Sequence, residues 1–372
     1  MVLMSSAALF VGHLLQLRGQ ENGFRRDNVL IVRLDASRSG YKPEHLSRAY
    51  EDLLDRLQQS RLVRSASLAG TTPASGGAAS RFVTVPGFNE RPEDRRYVSL
   101  NWVAPRYFDT LGMRPMAGRD FRREDRSGSR SAIINQAMER YYFHNRTAVG
   151  QYLSFDNDSS PYEIVGVVSD AKYANIREAP PRTVYLNTFQ ARQPASELMI
   201  HTKGDAYAAA AEVRQAINEV LRTVPVSRIT SLAEQVDASL MVERAVAFLS
   251  GVFAGIGCLL AGLGVYGLLA YTTARRTHEI GIRMALGATR ATVARMVILE
   301  ALTLTVMGLI FGCAIAYWSK QYITALVLDL PAIQAAPFIF GVCVTIAVAM
   351  IAVALPAYRA SRVEPMTALR YE

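Results

Sequence analysis

Formal charges vanish from three long stretches in the last third of the chain, residues 245–274, 301–319 and 330–358. A helix rises about 1.5 Å per residue, so roughly 20 apolar residues cross a hydrocarbon core about 30 Å thick. Each stretch is long enough, and together they predict spanning helices over 245–272, 298–319 and 335–358. Residues 1–17 are also uncharged but fall short of that thickness. The chain opens MVLMSSAALF, without the basic start and small-residue cleavage site of a signal peptide. Residues 1–17 therefore read as a first spanning helix that is short, or whose beginning lies upstream of Met1.

Between these apolar blocks the period changes to that of a mixed α/β domain over 24–235. Residues 29–34 read as a strand, and 43–60 as a helix because Leu46, Tyr50, Leu53, Leu54 and Leu57 recur at helical spacing. A strand at 63–68 closes a β-α-β unit. A second unit follows far downstream, strand 198–202, helix 205–222 and strand 227–230. Two such units can share one sheet, which predicts a lobe split by an insert over about 71–193. The insert is strand-rich, with strands expected at 82–85, 97–103, 162–168 and 184–186. Residues 71–80, TTPASGGAAS, read as a flexible linker into it. The fold class expected is thus an α+β extracytoplasmic domain, a split β-α-β lobe with an inserted strand-rich lobe, beside an all-α transmembrane bundle of three or four helices.

Charge sets the topology. The segment 275–290 carries Arg275, Arg276, Arg283 and Arg290 against Glu279, with Arg295 just beyond, and short arginine-rich loops stay in the cytoplasm. The tail 359–372 repeats the bias with Arg359 and Arg362, while the loop 320–329 is balanced. Alternation then places the large domain outside. The net charge of +9 comes without zinc-finger spacing, recognition motif or aromatic-basic interleaving, so nucleic acid is excluded as a partner and the lipid bilayer accounts for the arginines. Cys258, Cys313 and Cys343 fall one in each long apolar run, which excludes a disulfide framework or thiolate zinc site in the outer domain and reads as buried thiols.

The residues offer little for catalysis. His13, His45, His144, His201 and His278 are scattered with no i, i+4 pair, and the serines of 71–80 lack a Gly-x-Ser-x-Gly elbow. No phosphate-binding Gly-x-x-x-x-Gly-Lys-Ser/Thr loop is present. Asp120, Glu124 and Asp125 alternate with Arg119, Arg122, Arg123 and Arg126, the pattern of a charge-paired turn. The short sequons at Asn145 and Asn157 carry no weight. Catalytic residues, metal ligands and cofactors are therefore expected to be none, and the protein is not read as an enzyme.

The membrane part is richer. Gly251 and Gly255, and Gly308 and Gly312, are four apart, a spacing that lets helices approach closely and marks packing faces. Glu300 is expected at the interface, facing headgroups. The segment RRTHEIGIRMALGATR predicts a short helix with Glu279 four residues before Arg283, the favourable order for an ion pair. Ile280 and Met284 share one arc, Ile282, Ala285 and Leu286 lie across from them, and Gly287 is placed for a left-handed cap. A short helix with so wide an apolar surface is expected to be covered from two sides, which makes it a docking element.

EIGIRMALGA between two spans resembles the cytoplasmic coupling segment of the FtsX-like and MacB-like ABC transporter permeases, and PAYRASRVEPMTALRYE resembles their tail. YFDTLGMRPMAGRDF, residues 132–143 and YEIVGVVSDAKY are similar to the family's periplasmic core domain, and FRRDNVLIVRLD to its start in duplicated acidobacterial orphan permeases. The resemblance implies four spans, one before and three after a two-lobed outer domain, in a bacterial inner membrane. It implies that Glu279, Ile280, Gly281, Ile282, Arg283, Met284, Leu286 and Gly287 couple to a separate cytosolic ABC ATPase that binds the ATP. A second permease unit, as a homodimer or the missing half of a duplicated protein, and a periplasmic partner are further implied. The alternative is a membrane-anchored periplasmic binding or sensor module without ATP-driven transport.

Overall fold

The structure is a computed structural model. It describes residues 1–88, 97–144, 146–156, 158, 160–173, 175–191, 195–326 and 336–361, with the side chains of 38 and 319–326 excepted. The sequons at Asn145 and Asn157, Arg362 and most of the tail lie outside them. The chain forms two compact units, residues 20–240 and a membrane unit of 1–19 with 241 onward.

Helix α1 (Val2–Gly19) precedes the first of these. In the 20–240 unit, β1 (Val29–Leu34), α2 (Pro43–Gln58) and β2 (Val63–Ala69) form the first arm of the split lobe. The insert then supplies β3 (Ala79–Thr84), β4 (Tyr97–Val103), α3 (Tyr107–Leu111), β5 (Pro115–Gly118), β6 (Ser131–Asn135), α4 (Gln136–Phe143), β7 (Tyr152–Phe155), β8 (Tyr162–Val168), β9 (Thr183–Asn187) and α5 (Thr188–Ala191). Strand β10 (Glu197–Thr202), α6 (Ala210–Val220) and β11 (Val226–Ser231) complete the lobe, and α7 (Leu232–Ser239) leads out of it.

The split lobe is an antiparallel sheet ordered β11-β1-β10-β2. Both β1 and β2 pair antiparallel with β10, so the two strands of the first β-α-β unit run parallel with β10 between them. Helices α2 and α6 cover one face. Leu30, Val32, Leu34, Leu198 and Ile200 point toward Leu53, Leu57, Val213 and Ile217, every one buried, so alternation on the strands meets helical spacing on α2 as the sequence predicts. The other face is covered by α3 against β2 and β10 and by α7 against β1 and β11.

The insert closes on itself. Strand β4 pairs with β3, β3 with β7, β7 with β8, β8 with β6 and β6 with β9, and β9 returns to β4 in parallel register, Leu100 beside Val184. Closure of six strands removes free edges, and the interior is filled by Val83, Leu100, Ile134, Leu153, Phe155, Ile164 and Leu186. Three of its strands, β5, β6 and β7, were not expected from sequence. SAIIN and YLSF are too short to show a period, and β6 is buried along its whole length, so no alternation marks it.

The TTPASGGAAS segment is not a loose linker. Thr72, Pro73 and Ala74 are buried. The Gln235 amide on α7 donates to Thr72 Oγ1 at 2.8 Å and to the Pro73 carbonyl at 2.7 Å, and the Ala74 N–H donates to the Tyr173 carbonyl at 2.7 Å. Small side chains here permit close packing rather than flexibility. The charged turn, by contrast, is paired as its sequence suggests: Arg119 makes a two-pronged contact with Asp125 at 2.8 and 2.7 Å, and Arg126 reaches Glu51 of α2 at 2.9 Å.

Arg25 places Nη1 3.0 Å from Nδ1 of the buried His201 on β10. Burial, then the Arg25 and Arg64 guanidinium groups, push the His201 pKa below its ordinary value, against a weaker opposing pull from Asp109. The unfolded chain therefore binds more protons here than the folded one. The resulting stability is complete above the ordinary value of about 6.5 and is lost as pH falls through the lower folded pKa. Replacing His201 by Gln is expected to flatten the fall in denaturation midpoint between about pH 7.5 and about pH 5. An undiminished slope in the variant would assign the acid sensitivity to other groups.

Candidate functional site

In the membrane unit α1 is followed by α8 (Met241–Arg275), α9 (Thr277–Ala285), α10 (Arg290–Leu326) and α11 (Ala336–Ala360). Among the described residues, α1, α8, α10 and α11 are the four helices long and apolar enough to cross a membrane. The helices overrun the predicted spans. Helix α8 starts four residues before Ala245 and α10 starts at Arg290, eight before residue 298, because Glu243, Arg244, Arg290 and Arg295 are good helix residues that continue the backbone into the polar zone. At its far end α10 continues through Leu326, so the first part of the expected loop 320–329 is helical. Cys313 and Cys343 sit on exposed helix faces and Cys258 is half-buried, which corrects the expectation of buried thiols.

Helix α9 is the candidate site. Its apolar residues divide between two arcs. Ile280 and Gly281 are buried, and Ile280 and Met284 join a cluster with Leu269 of α8, Val293, Val297 and Ala301 of α10, and Val353, Ala357 and Ala360 of α11. Burying Ile280 this way stabilises the unit by about 1.5 to 3 kcal/mol and fixes which side of α9 faces away. Ile282, 41% exposed, and Leu286, 82% exposed, lie on that far side. The cover expected on two sides is thus present on one.

The ends and polar face of α9 set its rotation. Glu279 accepts from Arg283 at 2.6 Å, an i, i+4 pair with both side chains about half exposed, worth a few tenths of a kcal/mol. Arg283 also contacts Met296 Sδ of α10 at 3.0 Å. Gly287 adopts φ +97 and donates to the Met284 carbonyl, while Ala288 donates to the Arg283 carbonyl, a left-handed cap that turns the chain toward α10. Glu300 does not face outward alone: its carboxylate meets Arg276 at 3.4 Å, tying α10 to the start of α9.

The glycine expectation needs correcting. A Cβ at Gly251, Gly255 or Gly308 would meet nothing within 4 Å among the described residues, so these do not mark helix contacts inside the chain. Gly312 does, lying against Met1. The close approaches are instead at Gly257 against Leu3, Gly262 against Val348 and Gly341 against Ser5. Four-residue spacing alone does not say which helix face is turned inward, and the contacts at Gly257 and Gly341 depend on α1. No group of three or more histidine, cysteine, aspartate or glutamate side chains is gathered as a metal site among the described residues.

Four helices long and apolar enough to cross a membrane, a short helix packed at the arginine-rich end against three of them, and a two-lobed α/β unit that follows the first in sequence give the architecture of a polytopic membrane protein. Residues 2–220 match the MacB-like periplasmic core domain family and residues 251–365 match the FtsX-like permease C-terminal family. The chain belongs to this FtsX-like and MacB-like permease family. It is 26% identical over 286 residues to the uncharacterized ABC transporter permease YknZ of Bacillus subtilis, an alignment covering 75% of this chain and 72% of that one. It is 28% identical over 204 residues to the pyoverdine export ATP-binding/permease protein PvdT of Pseudomonas aeruginosa, covering 52% of this chain and 30% of that one. Among solved structures, the periplasmic region of MacB from Actinobacillus actinomycetemcomitans aligns at TM-score 0.40 and 13% identity, over 59% of this chain and 95% of that one.

Proposed function

We propose that the chain is the permease subunit of an ABC-type export or mechanotransmission system in a bacterial inner membrane, with residues 20–240 outside the cytoplasm. The open Ile282 and Leu286 arc of α9 carries this reading. An apolar surface held rigidly at the arginine-rich end of a membrane unit, with its opposite arc already buried, fits insertion into a groove on a cytosolic ATPase. The relative PvdT is an ATP-binding/permease protein by name, which supports a pairing of this kind. The chain itself does no bond chemistry in this reading. ATP is bound and hydrolysed on the partner, and the permease converts that cycle into movement of spans and outer unit. The unpacked faces at Gly251, Gly255 and Gly308 suit a second permease unit, as a homodimer or from a duplicated protein.

Topology tests the reading first. With Cys258, Cys313 and Cys343 replaced by Ala, a cysteine at Thr289 should resist a membrane-impermeant thiol reagent in intact spheroplasts, and one at the exposed Gln151 should label. Labelling at Thr289 with protection at Gln151 would invert the orientation and remove the cytosolic ATPase with it.

A further inference from the structure

The segment after β8, residues 170–173 and 175–177, touches more distant parts of the 20–240 unit than its length suggests. Asp170 anchors it to the barrel, accepting from Asn135 Nδ2 at 2.8 Å, the Ala137 N–H at 2.7 Å and Arg140 at 2.5 Å. Two residues on, the Lys172 N–H donates to the Asn22 carbonyl at 2.9 Å. Asn22 belongs to the stretch that runs from α1 into β1. Next to it Gly23 crosses the segment so closely, at φ +78, that a Cβ would overlap the Asp170 carbonyl oxygen. At the other end Arg177 donates through Nη2 to the Ser239 carbonyl at 2.8 Å, at the last turn of α7, two residues before α8 begins. Between these ends the Tyr173 carbonyl receives the Ala74 N–H at 2.7 Å, and Gln235 of α7 grips Thr72 and Pro73 from the other side. Ala171, Lys172, Tyr173 and Ile176 are buried, and Lys172 Nζ donates to the Ile176 carbonyl at 3.0 Å, which stiffens the segment internally.

We propose that this segment is a tie that fastens the barrel to both chain stretches leading to membrane helices, the one arriving from α1 and the one departing into α8. Residues 170–173, rooted in the barrel through Asp170, hold Asn22 and Gly23, and residues 175–177, joined to them by the Lys172–Ile176 hydrogen bond, hold Ser239. A displacement of either stretch is then passed to the barrel and to the other stretch as a rigid movement, because buried and closely packed backbone deforms little. Gly23, Lys172 and Arg177 are positioning residues for that transmission. The functional part of the proposal rests on the permease reading; the tie itself does not.

Hydrogen exchange on the full chain in lipid nanodiscs tests the tie. Gly23→Ala should push the Asn22 stretch off the segment and speed exchange of the Lys172 and Ala74 amides by about tenfold or more, with β1 and β10 amides at wild-type rates. Arg177→Ala, which introduces no overlap, should speed the same two amides from the opposite end. It decides alone if Gly23→Ala fails to fold. Changes confined to the neighbourhood of each substitution, with Lys172 and Ala74 unaffected by Arg177→Ala, would overturn the tie. With the cognate ATPase present, both variants should retain co-purification yet lose most of the permease-dependent change in ATP turnover. Full coupling with the Lys172 amide released would overturn the transmission role while leaving the tie. Lost co-purification would count against the docking role of α9 instead.

Discussion

Replacing Ile282 by Asp is expected to lower co-purification of the ATPase by at least about tenfold, with the permease inserted at wild-type levels. Full burial of an isoleucine contributes about 1.5 to 3 kcal/mol. Ile282 is already partly covered at 41% exposure, so docking gains about half of that from it. Forcing an unpaired carboxylate into the groove adds a penalty of about 1 to 3 kcal/mol, and together these exceed the 1.4 kcal/mol of a tenfold change. Leu286→Asp should act at least as strongly, since at 82% exposure almost its whole side chain is free to be buried by a partner. Ile280→Asp supplies the contrast. That residue is 2% exposed among Leu269, Val297 and Val353, so its replacement should reduce the level of assembled permease rather than its affinity. Co-purification and ATP turnover in nanodiscs separate the outcomes. Unchanged binding for both Ile282→Asp and Leu286→Asp would leave α9 as a connector and favour the anchored sensor.

The division of α9 into a buried and an open arc shows how far the sequence could be read. Ile280 with Met284, and Ile282 with Leu286, separate by helical angle alone, and the Glu279–Arg283 pair and the Gly287 cap follow from spacing. Which arc meets the bundle does not, because Ile280 and Ile282 are chemically identical and only the approach of α10 and α11 distinguishes them. The glycines fail for the same reason. Gly251 and Gly257 lie on the same helix, and only Gly257 finds a neighbour, Leu3, hundreds of residues away in sequence. In the 20–240 unit the split lobe was legible because α2 carries five buried residues at regular helical spacing between two short apolar strand segments. Barrel closure was not: it depends on β9 returning to β4, a pairing that leaves no local trace in either strand. The partner of Glu300 was not legible either, because Arg276 lies at the junction before α9, 24 positions away.

Asn101→Ala should be the most destabilising single change in the 20–240 unit that leaves its apolar cores intact. Asn101, 1% exposed on β4, exchanges hydrogen bonds with Thr71, its Oδ1 accepting from the Thr71 N–H and its Nδ2 donating to the Thr71 carbonyl, both at 3.1 Å. The same amide donates to Tyr173 Oη, and Tyr107 and Tyr173 share a hydrogen bond at 2.5 Å. Tyr173 in turn donates to the Thr71 carbonyl at 2.5 Å. Burial drives the pKa values of Tyr107 and Tyr173 upward, so both hydroxyls stay protonated and remain donors throughout the accessible pH range. The network therefore joins β2's exit, the barrel strand β4, α3 and the segment after β8 at one buried point. Alanine leaves the Thr71 N–H without its acceptor and opens a small void, at a cost of about 2 to 4 kcal/mol. Tyr173→Phe removes a different bond to the same carbonyl and should cost about 1 to 2 kcal/mol. Because both act on Thr71, the double variant should fall short of the sum by about 0.5 kcal/mol or more, the mark of a shared network. Denaturation followed by Trp102 fluorescence reads this directly once Trp318, the second of the chain's two tryptophans, is replaced by Phe. Trp102 lies next to Asn101 on β4, and its carbonyl accepts the Gly70 N–H at 2.8 Å, so its emission follows the junction itself. Strict additivity, or a loss under about 0.5 kcal/mol for Asn101→Ala, would show that the lobes are held together by the Arg126–Glu51 contact and apolar packing instead.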